Sequence, residues 1–210
     1  MLGLPKSTEI SKQLPKKAIF DRFKPLPTDR KLFDEQINRM AIVAEISPQT
    51  VAIQASADVS AVYVIQVTLK TPECDNKNIA LLSKLIDQRM LFVLAYGDAA
   101  RLAAYRADKV LVSESKPLAE WALLLTGLDI GAVWENIIAQ IGGIDLAGGK
   151  GLDATIREND RREKLKKQLA ALEKKAMTER QPRRKWEIAE EIRKIWNEEF
   201  GIRNSEWRKR

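Results

Sequence analysis

The side chains of this chain best suited to chemistry are its lysines and arginines, and the chemistry they suit is recognition of phosphate. Near the N-terminus Lys12, Lys16 and Lys17 surround Pro15 in the run Lys-Gln-Leu-Pro-Lys-Lys. Lysines on a proline-stiffened segment lose little entropy when they meet a phosphate. The same residues would also serve as an ordinary solvated surface. Toward the C-terminus the bases recur in clusters: Arg161-Arg162, Lys166-Lys167, Lys174-Lys175 and Arg183-Arg184-Lys185. Such a stripe attracts nucleic acid through counterion release, with affinity that falls steeply as salt rises. Yet Glu163, Glu173, Glu179, Glu187, Glu190 and Glu191 are mixed among them. A coiled-coil surface built to meet another protein carries the same interspersed charge.

The distribution of charge sharpens this. Residues 157–210 hold 18 of the 36 Lys/Arg and 11 of the 29 Asp/Glu, a net of +7, and residues 1–156 hold 18 of each and balance to zero. A neutral body therefore carries a basic appendage, which is expected to meet a partner. Histidine is absent and Cys74 is the single cysteine. That removes Ser-His-Asp and Cys-His catalysis, His-ligated metal sites, zinc clusters and any internal disulfide. Catalysis would fall to carboxylates, lysines or a carboxylate-held magnesium ion, and the expectation is a protein without catalytic residues, metal or cofactor. No run approaches the roughly 18–20 apolar residues of a membrane span. The first residues lack a signal-peptide pattern, so a cytoplasmic location is expected.

Several elements must position these residues. Ser7 or Thr8 would cap a short helix over Thr8–Leu14, and Pro25 and Pro27 then impose extended chain. Thr28–Met40 reads as a helix, with Leu32, Phe33, Gln36, Ile37 and Met40 at helical spacing. Strands are expected at Ala41–Ile46, Thr50–Gln54, Ala61–Lys70, Met90–Tyr96, Arg101–Arg106 and Lys109–Ser113. Helices are expected at Asn76–Gln88, Pro117–Leu125 and Ile130–Ile141. The fold class is thus α+β, a mixed sheet flanked by helices.

From Thr28 to Tyr96 the order is helix, three strands, helix, strand, which resembles the core of the PD-(D/E)xK nucleases. That resemblance implies magnesium held by an Asp and a Glu, with a lysine that helps activate water. Here Gln66-Val67-Thr68 stands where Glu-x-Lys is required. Lys70 shares a strand face with Gln66 and Thr68, and Asp58 or Glu45 would have to supply the carboxylates. The reading is therefore of an inactive relative or an unrelated core, with a divergent nuclease as the enzyme-class alternative.

Five glycines lie within Gly142–Gly151. Gly148-Gly149-Lys150-Gly151 superficially imitates a phosphate loop, but a glycine follows Lys150 and a helix precedes it, so a linker over 148–157 is the better reading. It separates a core (1–147) from a helical hairpin (158–210). Leu165, Leu169, Leu172 and Ala176 are spaced four, three and four, the seam of a short coiled coil. Ile188, Ile192, Ile195 and Glu199 continue the pattern after Pro182, which suits a first helical turn. Trp186, Ala189, Trp196 and Phe200 flank that second seam, and Trp207 follows. Leu165, Leu169, Leu172, Trp186, Ile192 and Trp196 are accordingly the expected docking residues, for another protein or a second copy of the chain.

Several stretches also resemble a bacterial family of unknown function. They are Leu4-Pro5-Lys6-Ser7-Thr8-Glu9, Lys12 to Lys17, Val64-Ile65-Gln66-Val67 with Leu69-Lys70, Val133-Trp134-Glu135-Asn136-Ile137, Glu173 to Ala176 and Arg180 to Lys185. The resemblance implies a setting beside helicase and DNA methyltransferase genes in phage-defence islands, and no activity. It leads to the expectation of a non-catalytic accessory subunit of a DNA-targeting defence or restriction-like complex. The hairpin would dock on a helicase or methyltransferase, with contact of its bases to DNA as a second role; a stand-alone nucleic-acid-binding protein is the other alternative.

Overall fold

The computed structural model describes residues 2–145 and 151–200, with side chains through Asn197. The Gly148–Lys150 stretch and Trp207 lie outside the described residues, as do the side chains of Glu199 and Phe200. The fold is α+β, a seven-stranded mixed sheet with helices and a C-terminal helix pair. Contacts divide the chain into two units, Met1–Leu152 and Asp153–Arg210.

In the first unit the order is β1 (Glu9–Gln13), α1 (Lys16–Phe23), α2 (Pro27–Gln36), β2 (Ile37–Ile46), α3 (Pro48–Val51), β3 (Val62–Leu69), α4 (Asn76–Leu82), β4 (Arg89–Tyr96), β5 (Ala99–Arg106), β6 (Lys109–Val112), β7 (Lys116–Pro117) and α5 (Ile130–Gly142). The strands lie side by side from β1 to β6, and β7 pairs with β5 beyond β6. Only β3 and β4 run parallel, and α4 makes the crossover between them. The remaining neighbours are antiparallel.

Register decides which residues share a face, because side chains alternate along a strand. Ile65 lies opposite Ile42 and beside Phe92, and Val67 lies opposite Met40 and beside Leu94. These six form one face with Ile19, Phe20, Phe33, Ile79 and Leu82, all buried in a single core under α1, α2 and α4. A bulge between Ile42 and Ala44 turns Ala44 and Ile46 to the other face, opposite Val64 and Val62. There Leu91, Val93, Leu102 and Ala104 are buried. Helix α5 packs against β5 and β6 and buries Ile130, Val133, Trp134, Ile137, Ile138 and Ile141. Asp129 caps it by accepting from the Ala132 N–H at 2.8 Å.

Several local expectations differ from the structure. Glu9–Gln13 is an edge strand on β2, preceded by a 3₁₀ turn, where a helix was expected. Pairing with β2 outweighs the weak local helix signal. The helix expected over Thr28–Met40 is two elements: α2 ends at Gln36, and Ile37 and Met40 belong to β2. Their spacing of three suited a helix, but an irregularity between Ile37 and Arg39 puts both on one strand face. Thr50–Gln54 is no strand, since α3 occupies Pro48–Val51 and Gln54 makes only an isolated bridge to Asp129. Helix α4 stops at Leu82 rather than Gln88. Pro117–Leu125 forms the end of β7, a 3₁₀ turn and a loop instead of a helix. That loop is held to α5 by the Gln140 amide, which accepts from Leu124 N–H at 3.2 Å and donates to its carbonyl at 3.0 Å. Gly127 sits in it at φ +153°, where an added Cβ would meet the Val133 nitrogen at 2.6 Å.

Candidate functional site

Two helices make the second unit's described structure: α6 (Leu152–Thr178) and α7 (Pro182–Phe200). Helix α6 begins inside the stretch 148–157 that the glycine content marked as linker. The lysines, glutamates and leucines of α6 are strong helix formers. Pro182 opens α7 at a position where a missing N–H costs nothing. In the turn between them the Glu179 carboxylate accepts from the Gln181 backbone N–H at 2.9 Å. That bond holds its carboxyl below the usual range, and Arg184 and Lys175 add to the effect.

The spacing-derived seam is the buried side of these helices. Leu169 and Ile188 are buried, with 5% and 7% of their surface exposed. Leu165, Leu172, Ala176, Ile192, Ile195 and Trp196 are half-buried. Trp186 differs from the other expected docking residues: 66% of it is exposed. Helical geometry places Trp186 with Ala189 and Arg193 at i, i+3 and i+7, away from Ile188. The indole is therefore displayed rather than used to close the pair.

The bases of the helix pair do not form one stripe. Arg162 is bound to Glu158 at 2.6 Å, Lys164 to Asp160 at 2.7 Å, Arg183 to Glu187 at 3.3 Å and Arg193 to Glu190 at 3.4 Å. Arg161, Lys166, Lys167 and Lys185 are exposed. Lys166 and Lys167 are a hundred degrees apart by helical geometry, so neighbours in sequence point in different directions. Near the N-terminus Lys12 and Lys17 are exposed on β1 and α1. Lys16 is committed elsewhere: its Nζ donates to Asp34 at 3.0 Å and ties α1 to α2.

Residues 2–198 match the family described as DUF4391, a domain of unknown function. The chain belongs to that family. No curated protein and no solved structure matches it.

The nuclease constellation is not assembled in this DUF4391 chain. With no strand at Thr50–Gln54, the helix–three strands–helix–strand order does not arise. Glu45 lies opposite Tyr63, and so on the face away from Gln66 and Thr68. Asp58 precedes the start of β3, eight residues from Gln66. Thr68 accepts from Arg39 Nε at 3.4 Å, and Lys70 Nζ donates to the Asp34 carbonyl at 2.7 Å. Among the described residues no three Cys, Asp or Glu side chains are grouped to hold a metal ion. No helix among them is long and apolar enough to cross a membrane.

Sequence reasoning missed the concave sites among the described residues, one of which carries Arg101. A cavity of about 220 Å³ is lined by Leu69, Pro72, Glu73, Cys74, Asn76, Leu94, Arg101 and Val112. The signal was present in β5, where Ala99-Ala100-Arg101-Leu102-Ala103-Ala104 sets one arginine among small apolar residues.

Proposed function

We propose that this DUF4391 protein is a non-catalytic, cytoplasmic accessory subunit that docks on a partner protein through α6 and α7. The observation that carries the reading is Trp186, displayed at 66% exposure on a helix whose apolar stripe is occupied elsewhere. Tryptophan is the side chain most enriched among interface anchors, because it buries a large rigid area at little entropic cost. Ion pairs along the helices engage Arg162, Lys164, Arg183 and Arg193 in place, and such interspersed pairing suits a protein-facing surface better than a phosphate-tracking one. The resemblance in sequence makes a helicase or DNA methyltransferase subunit of a defence complex the partner of choice.

The test is affinity capture from native cells with the full-length chain and with Trp186→Ala. The expected result is a helicase or methyltransferase subunit retained by the first. The variant should weaken its binding by about 30-fold, the scale of an interface hot spot. Equal capture by both chains, or capture of neither enzyme, overturns the reading.

A second reading, direct nucleic-acid binding, rests on Lys166, Lys167, Lys174 and Lys185, whose side chains make no ion pair among the described residues. It requires the isolated protein to bind duplex DNA with an affinity that drops steeply between about 50 and 200 mM salt. Binding that is absent at the lower salt ends it.

A further inference from the structure

The β3–β4 pair is the only parallel pair in the described sheet, and it creates a feature the antiparallel strands do not. After Leu69 the chain must leave the sheet, climb through Lys70–Asp75 and start α4. After Tyr96 it reverses at once, through the two residues Gly97 and Asp98. The long connection stands above the sheet and the short one does not, which leaves a crevice at the carboxyl ends of β3 and β4. In open sheets with parallel strands such crevices are where ligands bind.

The crevice is the cavity of about 220 Å³ noted above. Its floor is one sheet face: Leu94 lies opposite Arg101 in the β4–β5 register, and Val112 lies opposite Ala103. Flanking Arg101 on that face are Ala99 and Ala103, too small to cover it. Arg101 is half-buried, and its guanidinium has no hydrogen bond or ion pair among the described residues. A partly desolvated cation without a partner is costly. Its planar fork of donors matches a carboxylate or a phosphate.

The other lining groups fit the same ligand. Burial pushes the Cys74 thiol up to about 11, against an opposing hydrogen bond from Asn78 and with help from the Asp75 carboxylate. Cys74 is therefore a neutral thiol that does not compete as an anion for Arg101. Lys70 is engaged with the Asp34 carbonyl. Asn76 offers an amide at the rim. Leu69, Pro72, Leu94 and Val112 provide an apolar wall. Glu73 is exposed and lies on the lining, and makes no ion pair with Arg101. It is the one group there that would repel an anion.

We propose that this crevice binds a small organic oxyanion, a carboxylate or a phosphate monoester. Arg101 holds the charged end, Asn76 donates at the rim, and the short carbon part lies against Leu69, Leu94 and Val112. A volume of about 220 Å³ is several times the ~30 Å³ of a water molecule in the liquid. It admits an oxyanion with a few carbons and is too small for a polymer.

The test titrates the full-length protein with butyrate, acetate and inorganic phosphate at fixed ionic strength, with chloride as control, and reads the Arg101 Nε–H resonance by NMR. The expected result is a saturable shift with at least one oxyanion and none with chloride. A shift with phosphate alone assigns a phosphate ester, and one with butyrate exceeding acetate assigns a carboxylate with an apolar tail. Arg101→Gln, followed through the Asn76 side-chain amide, should weaken binding at least about tenfold, as loss of a charge-assisted bidentate contact does. Arg101→Lys keeps the charge, loses the fork, and should weaken it by a smaller factor. Glu73→Gln alters only an exposed side chain, and should tighten binding severalfold. A response no larger than that to chloride overturns the proposal. So does binding that Arg101→Gln leaves unchanged, or that Glu73→Gln fails to tighten.

Discussion

The sheet unit and the helix pair are held together in different ways. In the first, both faces of one sheet are covered, and whole side chains such as Trp134, Phe33 and Phe92 are removed from water. At about 25 cal/mol per Å² of apolar surface, that burial is the source of a stability the unit supplies for itself. In the second, Ile156, Leu169 and Ile188 are the buried apolar residues among those described. The rest of its cohesion comes from half-buried seam residues such as Leu165, Leu172 and Ile192, from helix propensity and from ion pairs such as Glu158–Arg162 and Asp160–Lys164, each pair worth only a few tenths of a kcal/mol. The difference teaches where dependence lies. A unit with both sheet faces covered buries its large apolar side chains internally, whereas the helix pair has a narrow stripe and an exposed tryptophan, the feature on which the proposed docking rests.

The largest effect belongs to the first unit. Trp134→Ala should cost about 3–5 kcal/mol in urea unfolding, because it empties the core beneath α5. Trp134→Phe should cost much less. It keeps most of the volume and removes an indole N–H that is buried without a partner. Equal losses from the two variants would show that the indole nitrogen is satisfied in solution. In the second unit Leu169→Ala should cost about 2 kcal/mol. It should lower hydrogen-exchange protection along α6 and α7 and leave β3 and β4 unchanged. Protection lost equally in β3 and β4 would erase the distinction between the units.

How much of this was legible follows from the same contrast. The heptad spacing found the buried side of the helix pair because one periodicity and one stripe govern it: Leu169 and Ile188 are where the pattern put them. Strand β3 was legible from its β-branched and aromatic run, Val62-Tyr63-Val64-Ile65, and β4 from the apolar run Met90-Leu91-Phe92-Val93-Leu94. Failures cluster where distant pairing decides local form. Ile37 and Met40 look helical until Leu69 and Val67 are known to lie opposite them. Ile10 looks like part of a helix until β2 offers an edge. Lys16 looks free until α2 brings Asp34 within 3.0 Å. Arg101 was invisible for a related reason. Its isolation among alanines is local, but the crevice it faces exists only because β3 and β4 run parallel.

Cys74 separates the units by pH. Its thiol titrates near 11 in the fold against 9.0 for an ordinary cysteine, chiefly through burial. A raised folded-state value means that the contribution is complete below about pH 9 and is lost as pH climbs through 11. The loss should be on the order of 2 kcal/mol across that window. The difference in stability between the parent chain and Cys74→Ala should therefore shrink from pH 9 to 11, with the change confined to sheet-unit protection. A difference that stays constant over that range would place the thiol in water.

The smallest effect tests what the helix pair lacks. A double-mutant cycle on Glu158 and Arg162 should give a coupling of about 0.3–0.5 kcal/mol at low salt, fading as salt screens it. The carboxylate precedes the guanidinium by four residues, the favourable orientation for a helix dipole. Both side chains are in part open to solvent, 33% and 52% exposed, so little desolvation deepens the attraction. A coupling above about 1.5 kcal/mol would exceed what an open helical pair supplies. Charge pairing would then hold α6 together much as the core holds the sheet, and the contrast between the two units would fail.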